Sequence, residues 1–559
     1  LILTPAYRFD AWQYYFIRLR PLLVLLGLFL LTSLLANTLQ QEDKRKSTFS
    51  PKLVLISSAV FGFFGITRLI GIGWQSDPKF WNQPGIPFLL DDLFVSIVLF
   101  FALTMLDRKG FLFNPQKKLQ KADILIALVL VIFTAILWLL QPIHPDSLLA
   151  NPAPPSFDHF PLVDAQVYDL DALNLVNNGR LGVNGVSDKP LYSIFVALLH
   201  VILPEGTYTQ IGSLQIIFFA FFAALLYFLG ASLSNRIGGI FLGLLGGFYG
   251  KNLLATAWII QTANPRLLST GFPTLIMLGA LFFLYLKLVQ EKGQLHWYVL
   301  YFGCLGLSTY LRFNFWALIP LTVAPLLFLL KGKHFKYILI SIVVLVAVML
   351  PWQIRSAGVT GNPTYFITRF VTILDQRFNI QSEDIPILSL AYRDLPTSTP
   401  QQEIAENPYS TKPANLEEEI VIPTPTAAPE PDQTAMMPIE DHTALPNGDQ
   451  SEGSELAERE PPFPPILNHT IHNIITPLFM LPTIPINHDH EFLMYKNESI
   501  WWQSLLEMSW WQWIMLFFNL SVCVVGFSVI QQKHSSAGWV LLLFYLSYSF
   551  GLGAARTSG

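Results

Sequence analysis

Charge is scarce in this chain. Asp, Glu, Lys and Arg supply 13% of its 559 residues while hydrophobic residues supply 52%, and mean hydropathy is +0.46. That balance excludes a water-soluble globule of this size. Cysteine is nearly absent: Cys304 and Cys523 are the two present, each inside an apolar run, so neither a disulfide framework nor a zinc site is indicated. A phosphate-cradling loop is also missing. The nearest stretch, "GGFYGKN", has Leu245 where the first glycine of such a loop belongs and Asn252 where Ser or Thr should follow Lys251. No internal repeat of 20 to 50 residues stands out, and no nucleic-acid partner is expected.

What the chain has instead is long apolar runs. Segments of about 17 to 25 such residues cross a bilayer as helices, and about twelve are present, at 21–39, 53–73, 88–106, 123–141, 210–231, 237–258, 272–288, 297–311, 314–330, 337–353, 511–531 and 537–555. The fold class is therefore an all-α polytopic membrane protein. Trp and Tyr recur at run ends, as at Trp74, Trp138, Trp297, Trp352 and Trp510, which suits rings that settle at the headgroup level. The run Leu191 to Leu203 is too short to span and reads as an interfacial helix.

Basic short loops mark the cytoplasmic side. Lys44, Arg45, Lys46 and Lys52, then Arg108, Lys109, Lys117, Lys118 and Lys121, then Lys331, Lys333 and Lys336 all fall on one side under these spans. Arg8, Arg18 and Arg20 fall on the other, a local conflict. The stretch after 141, the region 251–271, the turn at Arg312 and everything from Arg355 to about 508 then face outward. The chain divides accordingly into N-terminal membrane helices (1–141), a first large outer loop with interfacial helices (142–209), further membrane helices (210–353), an outer segment (354–508) and C-terminal membrane helices (509–559). It starts at Leu1 and stops at "GAARTSG", so both ends read as cut.

The outer segment is not uniform. From 395 to 462 it is rich in Pro, Thr, Ser and Glu, with fourteen acids against Lys412 and Arg459; this net −12 leaves +8 on the rest of the chain. Such a stretch cannot bury enough apolar surface to fold and reads as a disordered acidic tether. After it, His488, Asp489 and His490 offer a weak set of divalent-metal ligands, the one metal candidate in a chain that otherwise calls for no cofactor. Two outward sequons, at Asn468 and Asn497, occur readily by chance.

The unusual polar stretch is "LVDAQVYDLDALNLVNNGRLGVNGVSDKPLY", Leu162 to Tyr192. Read as a helix, Asp164, Tyr168 and Asp171 share one face at i, i+4 and i+7; read blandly, the acids solvate a loop. Asp164, then Tyr168, "NNGRL" and "KPLY" from Lys189 to Tyr192 resemble the first outer loop of the GT-C membrane glycosyltransferases, above all the protein O-mannosyltransferase and aminoarabinose transferase superfamily. "LPWQIRSAGVTGNP", Leu350 to Pro363, resembles the segment that closes a later span in the same superfamily. The resemblance covers roughly 123 to 363. Departures are Ala165 and Val167 where a subset of the family has Glu and Arg, Ser356 in place of Asn, one missing proline after Lys189, and four spans instead of one before the loop.

The resemblance implies transfer of a sugar from a polyprenyl-phosphate donor, reached from the bilayer, to a protein, lipid or glycan acceptor on the outer face of the cell membrane. Such transfer needs a carboxylate to take the acceptor's proton and cations to stabilise the leaving phosphate. Asp164 is the candidate base. Lys189 is the first phosphate contact by resemblance and Arg355 a weaker second, with Tyr168 and Tyr192 as further substrate contacts. The glycosyltransferase assignment requires Asp164, Lys189 and Arg355 to converge on one outer cavity open to the bilayer, and fails if they do not. Asp169, Asp171 and Asp188 are left as loop solvation, and Arg266 and Arg312 as headgroup or loop contacts. Two readings compete: a transporter or flippase of lipid-linked saccharides, which should carry its functional charges near mid-membrane, and a non-catalytic scaffold.

Overall fold

An apolar run in a bilayer has no water for its amides and carbonyls, so it must close its own hydrogen bonds as a helix. The computed structural model describes residues 51–74, 89–107, 121–143, 148–152, 157–182, 186–187, 189–204, 207–255, 264–291, 294–312, 315–316, 318–329, 335–362 and 464–475, with scattered positions between 514 and 549. Among these, every regular element is helical, and one isolated bridge joins Leu149 to Pro161. In chain order the helices are α1 (Pro51–Ile70), α2 (Leu90–Leu106), α3 (Lys121–Leu139), α4 (Val163–Asn178), α5 (Pro190–Ile202), α6 (Tyr208–Phe219), α7 (Phe221–Leu233), α8 (Arg236–Ala255), α9 (Gly271–Gln290), α10 (Leu295–Ser308), α11 (Leu318–Leu329), α12 (Phe335–Thr360) and α13 (Pro465–Ile475).

Among the described residues, five helices are long and apolar enough to cross a membrane: α3, α6 and α7 taken together, α8, α9 and α12. The chain is a multi-pass membrane protein on that ground. Residues Leu191 to Ile202 fall in the short apolar helix α5, as their length requires. The first expected span (21–39), the acidic tether (395–462) and His488, Asp489 and His490 lie outside the described residues, as does Asp188.

Helix ends meet in the alternation that successive spans require. Arg236 Nε donates to Asp123 Oδ1 at 2.8 Å, bringing the starts of α3 and α8 together. Lys251 Nζ donates to Asp92 Oδ1 at 3.0 Å, setting the start of α2 beside the far end of α8. Small residues let the backbones approach: a Cβ added at Gly239 would lie 2.7 Å from the Tyr227 carbonyl, and at Gly247 2.9 Å from Thr134 Oγ1. The Gly239, Gly243, Gly247 stripe is a packing seam on α8, as its spacing suggests.

One expected boundary moves. The apolar run ends near residue 353, yet α12 continues through Pro351 to Thr360. Proline in a helix interior removes a backbone donor and crowds the turn before it. Here a neighbour tends that turn: Tyr310 Oη donates to the Val348 carbonyl at 2.6 Å. The extension carries Arg355 on a helix rather than on a loop.

Candidate functional site

The polar stretch after α3 folds into two helices, α4 and α5. α4 begins with a strained residue, since Val163 has φ 51°, a left-handed conformation costly for a β-branched side chain. Asp164 follows in the first helical turn, where the dipole favours an anion. α4 ends at Gly179, φ 64°, whose N–H bonds back to Leu175, and the chain turns again at Gly182, φ 93°. α5 then starts at Pro190, pre-set for a first helical position, so Lys189 stands at the helix entrance.

Four of the sequence candidates come together here. Lys189 Nζ lies 3.8 Å from Asp164 Oδ2 and donates to Tyr168 Oη, and it also stands 4.9 Å from the Tyr168 ring centroid. Tyr168 meets Tyr192 edge to face at 5.2 Å. The Asp164 side chain is 66% exposed and that of Lys189 26%, so both remain open to a ligand. Tyr168 is buried and presents its hydroxyl to the lysine.

Tyr192 plays a different part from a substrate contact. It is buried, its hydroxyl donates to Gln215 Oε1 at 2.8 Å, and Gln215 in turn donates to the carbonyls of Pro265 and Leu267 at 2.8 and 2.9 Å. Burial pushes its hydroxyl well above the ordinary tyrosine pKa. The ring holds Tyr168 from behind. Gln215 has no sequence signal, because its role depends on a loop fifty residues away.

Two acids read as solvation are instead structural. Asp171 is buried and accepts from Ser193 Oγ at 3.4 Å, and Asp169 pairs with His200 Nε2 at 2.8 Å. Both bonds tie α4 to α5. Ala165 on α4 is completely buried, so a larger side chain has no room there. Arg266 donates to the carbonyls of Trp138 and Gln141 at 3.1 and 2.9 Å and so caps the end of α3, while Arg312 donates to Thr270 Oγ1 at 3.2 Å.

Arg355 does not join them, so the convergence of Asp164, Lys189 and Arg355 that the glycosyltransferase assignment required is not met. Its Nη2 donates to the Leu181 carbonyl at 2.7 Å and its guanidinium lies 4.7 Å from the Trp352 ring centroid. It lines a cavity of about 650 Å³ with Asn174, Asn178 and Arg180, and neither Asp164 nor Lys189 lines it. No protein-family model, curated protein sequence or solved structure matches the chain. A carboxylate and an ammonium face each other at an open edge, fixed from behind by a buried aromatic and amide network, and a second cationic cavity opens further along the same helix. Among the described residues, no group of three or more His, Cys, Asp or Glu could hold a metal ion.

Proposed function

We propose that this chain is a GT-C type glycosyltransferase with about twelve membrane spans. It moves a sugar from a polyprenyl-phosphate donor to a protein, lipid or glycan acceptor on the outer face of the cell membrane. The observation that carries the reading is the meeting of Asp164, Lys189 and Tyr168 at an exposed edge of the helix pair α4 and α5. In this reading Asp164 takes the proton of the acceptor hydroxyl as its oxygen bonds to the sugar carbon, and Lys189 stabilises the phosphate that leaves from the opposite side of that carbon, so a sugar must enter between the two groups and part their contact. Tyr168 keeps the lysine at that spot.

The interior charges favour this over the transporter reading. Asp123 with Arg236 and Asp92 with Lys251 pair at helix ends, with direct hydrogen bonds, whereas carrier function draws on charges near mid-membrane. The deciding experiment incubates the full chain in nanodiscs with radiolabelled polyprenyl-phosphate hexoses and candidate acceptors, comparing wild type with Asp164→Asn. Transfer by wild type and its loss in the variant are expected. Equal transfer by both removes Asp164 as the base, and no transfer with any donor returns weight to the transporter and scaffold readings.

A further inference from the structure

The cavity beside Arg355 has a chemistry of its own. Asn174 and Asn178 sit one turn apart on α4, linked by a bond from Asn178 Nδ2 to Asn174 Oδ1 at 2.8 Å, and Asn174 Nδ2 donates to the Gly182 carbonyl at 3.2 Å. Arg180 follows just past the end of α4, and Arg355 approaches from the last turns of α12. Leu181, Gly182 and Val359 complete the wall. Among the described residues, the lining thus holds two guanidiniums and two carboxamides and no acid.

These groups select a ligand class. Guanidinium recognises carboxylate and phosphate through paired N–H donors. Carboxamides offer a donor and an acceptor each, which suits vicinal hydroxyls. The volume, about 650 Å³, falls in the usual range of sites for small organic ligands, roughly 300–1,000 Å³. Asn174 lies ten residues from Asp164, about 15 Å along the helix axis at the rise of an α-helix, so a ligand of two or three sugar rings could occupy the cavity and extend toward the carboxylate. Two cations at helix C-terminal ends also offset the dipole there, which by itself accounts for an arginine at each end but not for the paired asparagines between them.

We infer that the groove between the ends of α4 and α12 binds an anionic saccharide, with Arg180 and Arg355 on its acid group and Asn174 and Asn178 on its hydroxyls. In the glycosyltransferase reading, on which this role rests, the saccharide is the acceptor. The binding itself is independent of catalysis. Headgroup phosphates of anionic lipids share part of that chemistry, and the test separates them.

The full chain in phosphatidylcholine nanodiscs is titrated calorimetrically with a disaccharide ending in glucuronate and with its neutral glucose counterpart. The acidic sugar should bind at least about tenfold more tightly, as expected for one charge-assisted pair. Arg180→Gln, at an exposed side chain that folding does not need, should remove most of that preference, and Arg355→Gln should do the same. Asn174→Ala should weaken both sugars together. The titration needs neither donor nor turnover, so loss of transfer and loss of binding are read separately. Equal binding of the two sugars, or an unchanged preference in Arg180→Gln, overturns the assignment. Abolition of sugar binding in nanodiscs containing phosphatidylglycerol would give the groove to a lipid headgroup and overturn it as well.

Discussion

Two carboxylate–cation pairs in this molecule have the same chemistry and opposite settings. Asp123 and Arg236 meet at 2.8 Å with side chains 4% and 1% exposed, and Tyr227 Oη donates to the same carboxylate oxygen at 2.8 Å. Asp164 and Lys189 meet at 3.8 Å with side chains 66% and 26% exposed. The first is saturated with partners and shut from water. The second is loose, open and assisted by one tyrosine. A buried charge must be matched by its own fold because nothing else can reach it, whereas an exposed one keeps capacity for a visitor. The buried pair is architecture, and the exposed pair is the one the proposed transfer would use.

The comparison can be broken first at its inner member. Asp123→Ala leaves Arg236 buried without its carboxylate, and breaking a buried pair from one side costs about 3–5 kcal/mol. Chemical unfolding in detergent should show a loss of that size, or the variant should fail to accumulate. The double change Asp123→Leu with Arg236→Met should recover most of the loss, since it removes both charges. If the double variant is as unstable as the single, the pair is not what holds α3 to α8.

At the outer member the prediction inverts. Asp164→Asn should change stability by no more than about 0.5 kcal/mol, as for most exposed positions, while transfer falls by about 10²- to 10⁴-fold, the range for removal of a positioned acid–base group. Lys189→Met keeps the stem and removes the charge. It should lower turnover of the lipid-linked donor by about 10²-fold, the scale of one lost electrostatic contact to a developing anion, with the unfolding midpoint nearly unmoved. A variant that loses stability and transfer in proportion would make the outer pair architectural too.

Much of this contrast is legible in the sequence, and what is not has a physical reason. Apolar run length announces α3, α8, α9 and the joined α6 and α7, because in a bilayer hydropathy and helix formation are the same requirement. Asp164 and Lys189, expected to converge with Arg355, do meet, and Arg355 does not join them. The fates of Asp169 and Asp171 were not legible: their partners His200 and Ser193 arrive from a second helix whose crossing no local pattern encodes. Arg355 misleads for a similar reason. The Pro-Trp pair reads as the end of a span, but the helix runs on through Pro351 to Thr360 and carries the arginine to Leu181 and the cavity by Asn174. Asn468, readable as an outward sequon, is buried and accepts from the Gly73 amide at 2.6 Å, so a local triplet had become a tertiary contact.

A third carboxylate, Asp158, sharpens the comparison with a smaller effect because its partners are neutral. It accepts from the amide of Tyr208 at 2.7 Å and the hydroxyl of Thr209 at 2.5 Å, serving the free N–H groups at the start of α6. Burial raises its pKa, but hydrogen bonds from the Thr209 hydroxyl and the backbone amides of His159, Tyr208 and Thr209 outweigh that and hold the carboxyl below its usual value. A carboxylate whose pKa is lowered by folding gives stability that is present above the unfolded pKa and lost as pH falls through the folded one. Asp158→Asn should therefore cost about 1 kcal/mol at pH 7, the scale of a helix cap. The gap between wild type and variant should hold down to about pH 4, the ordinary carboxylate range, and close below it. Unfolding midpoints of both proteins measured from pH 7 to pH 3 give the answer. A gap that persists undiminished at the acid end would mean that Asp158 acts by its shape rather than by its charge, and would set it apart from both ion pairs.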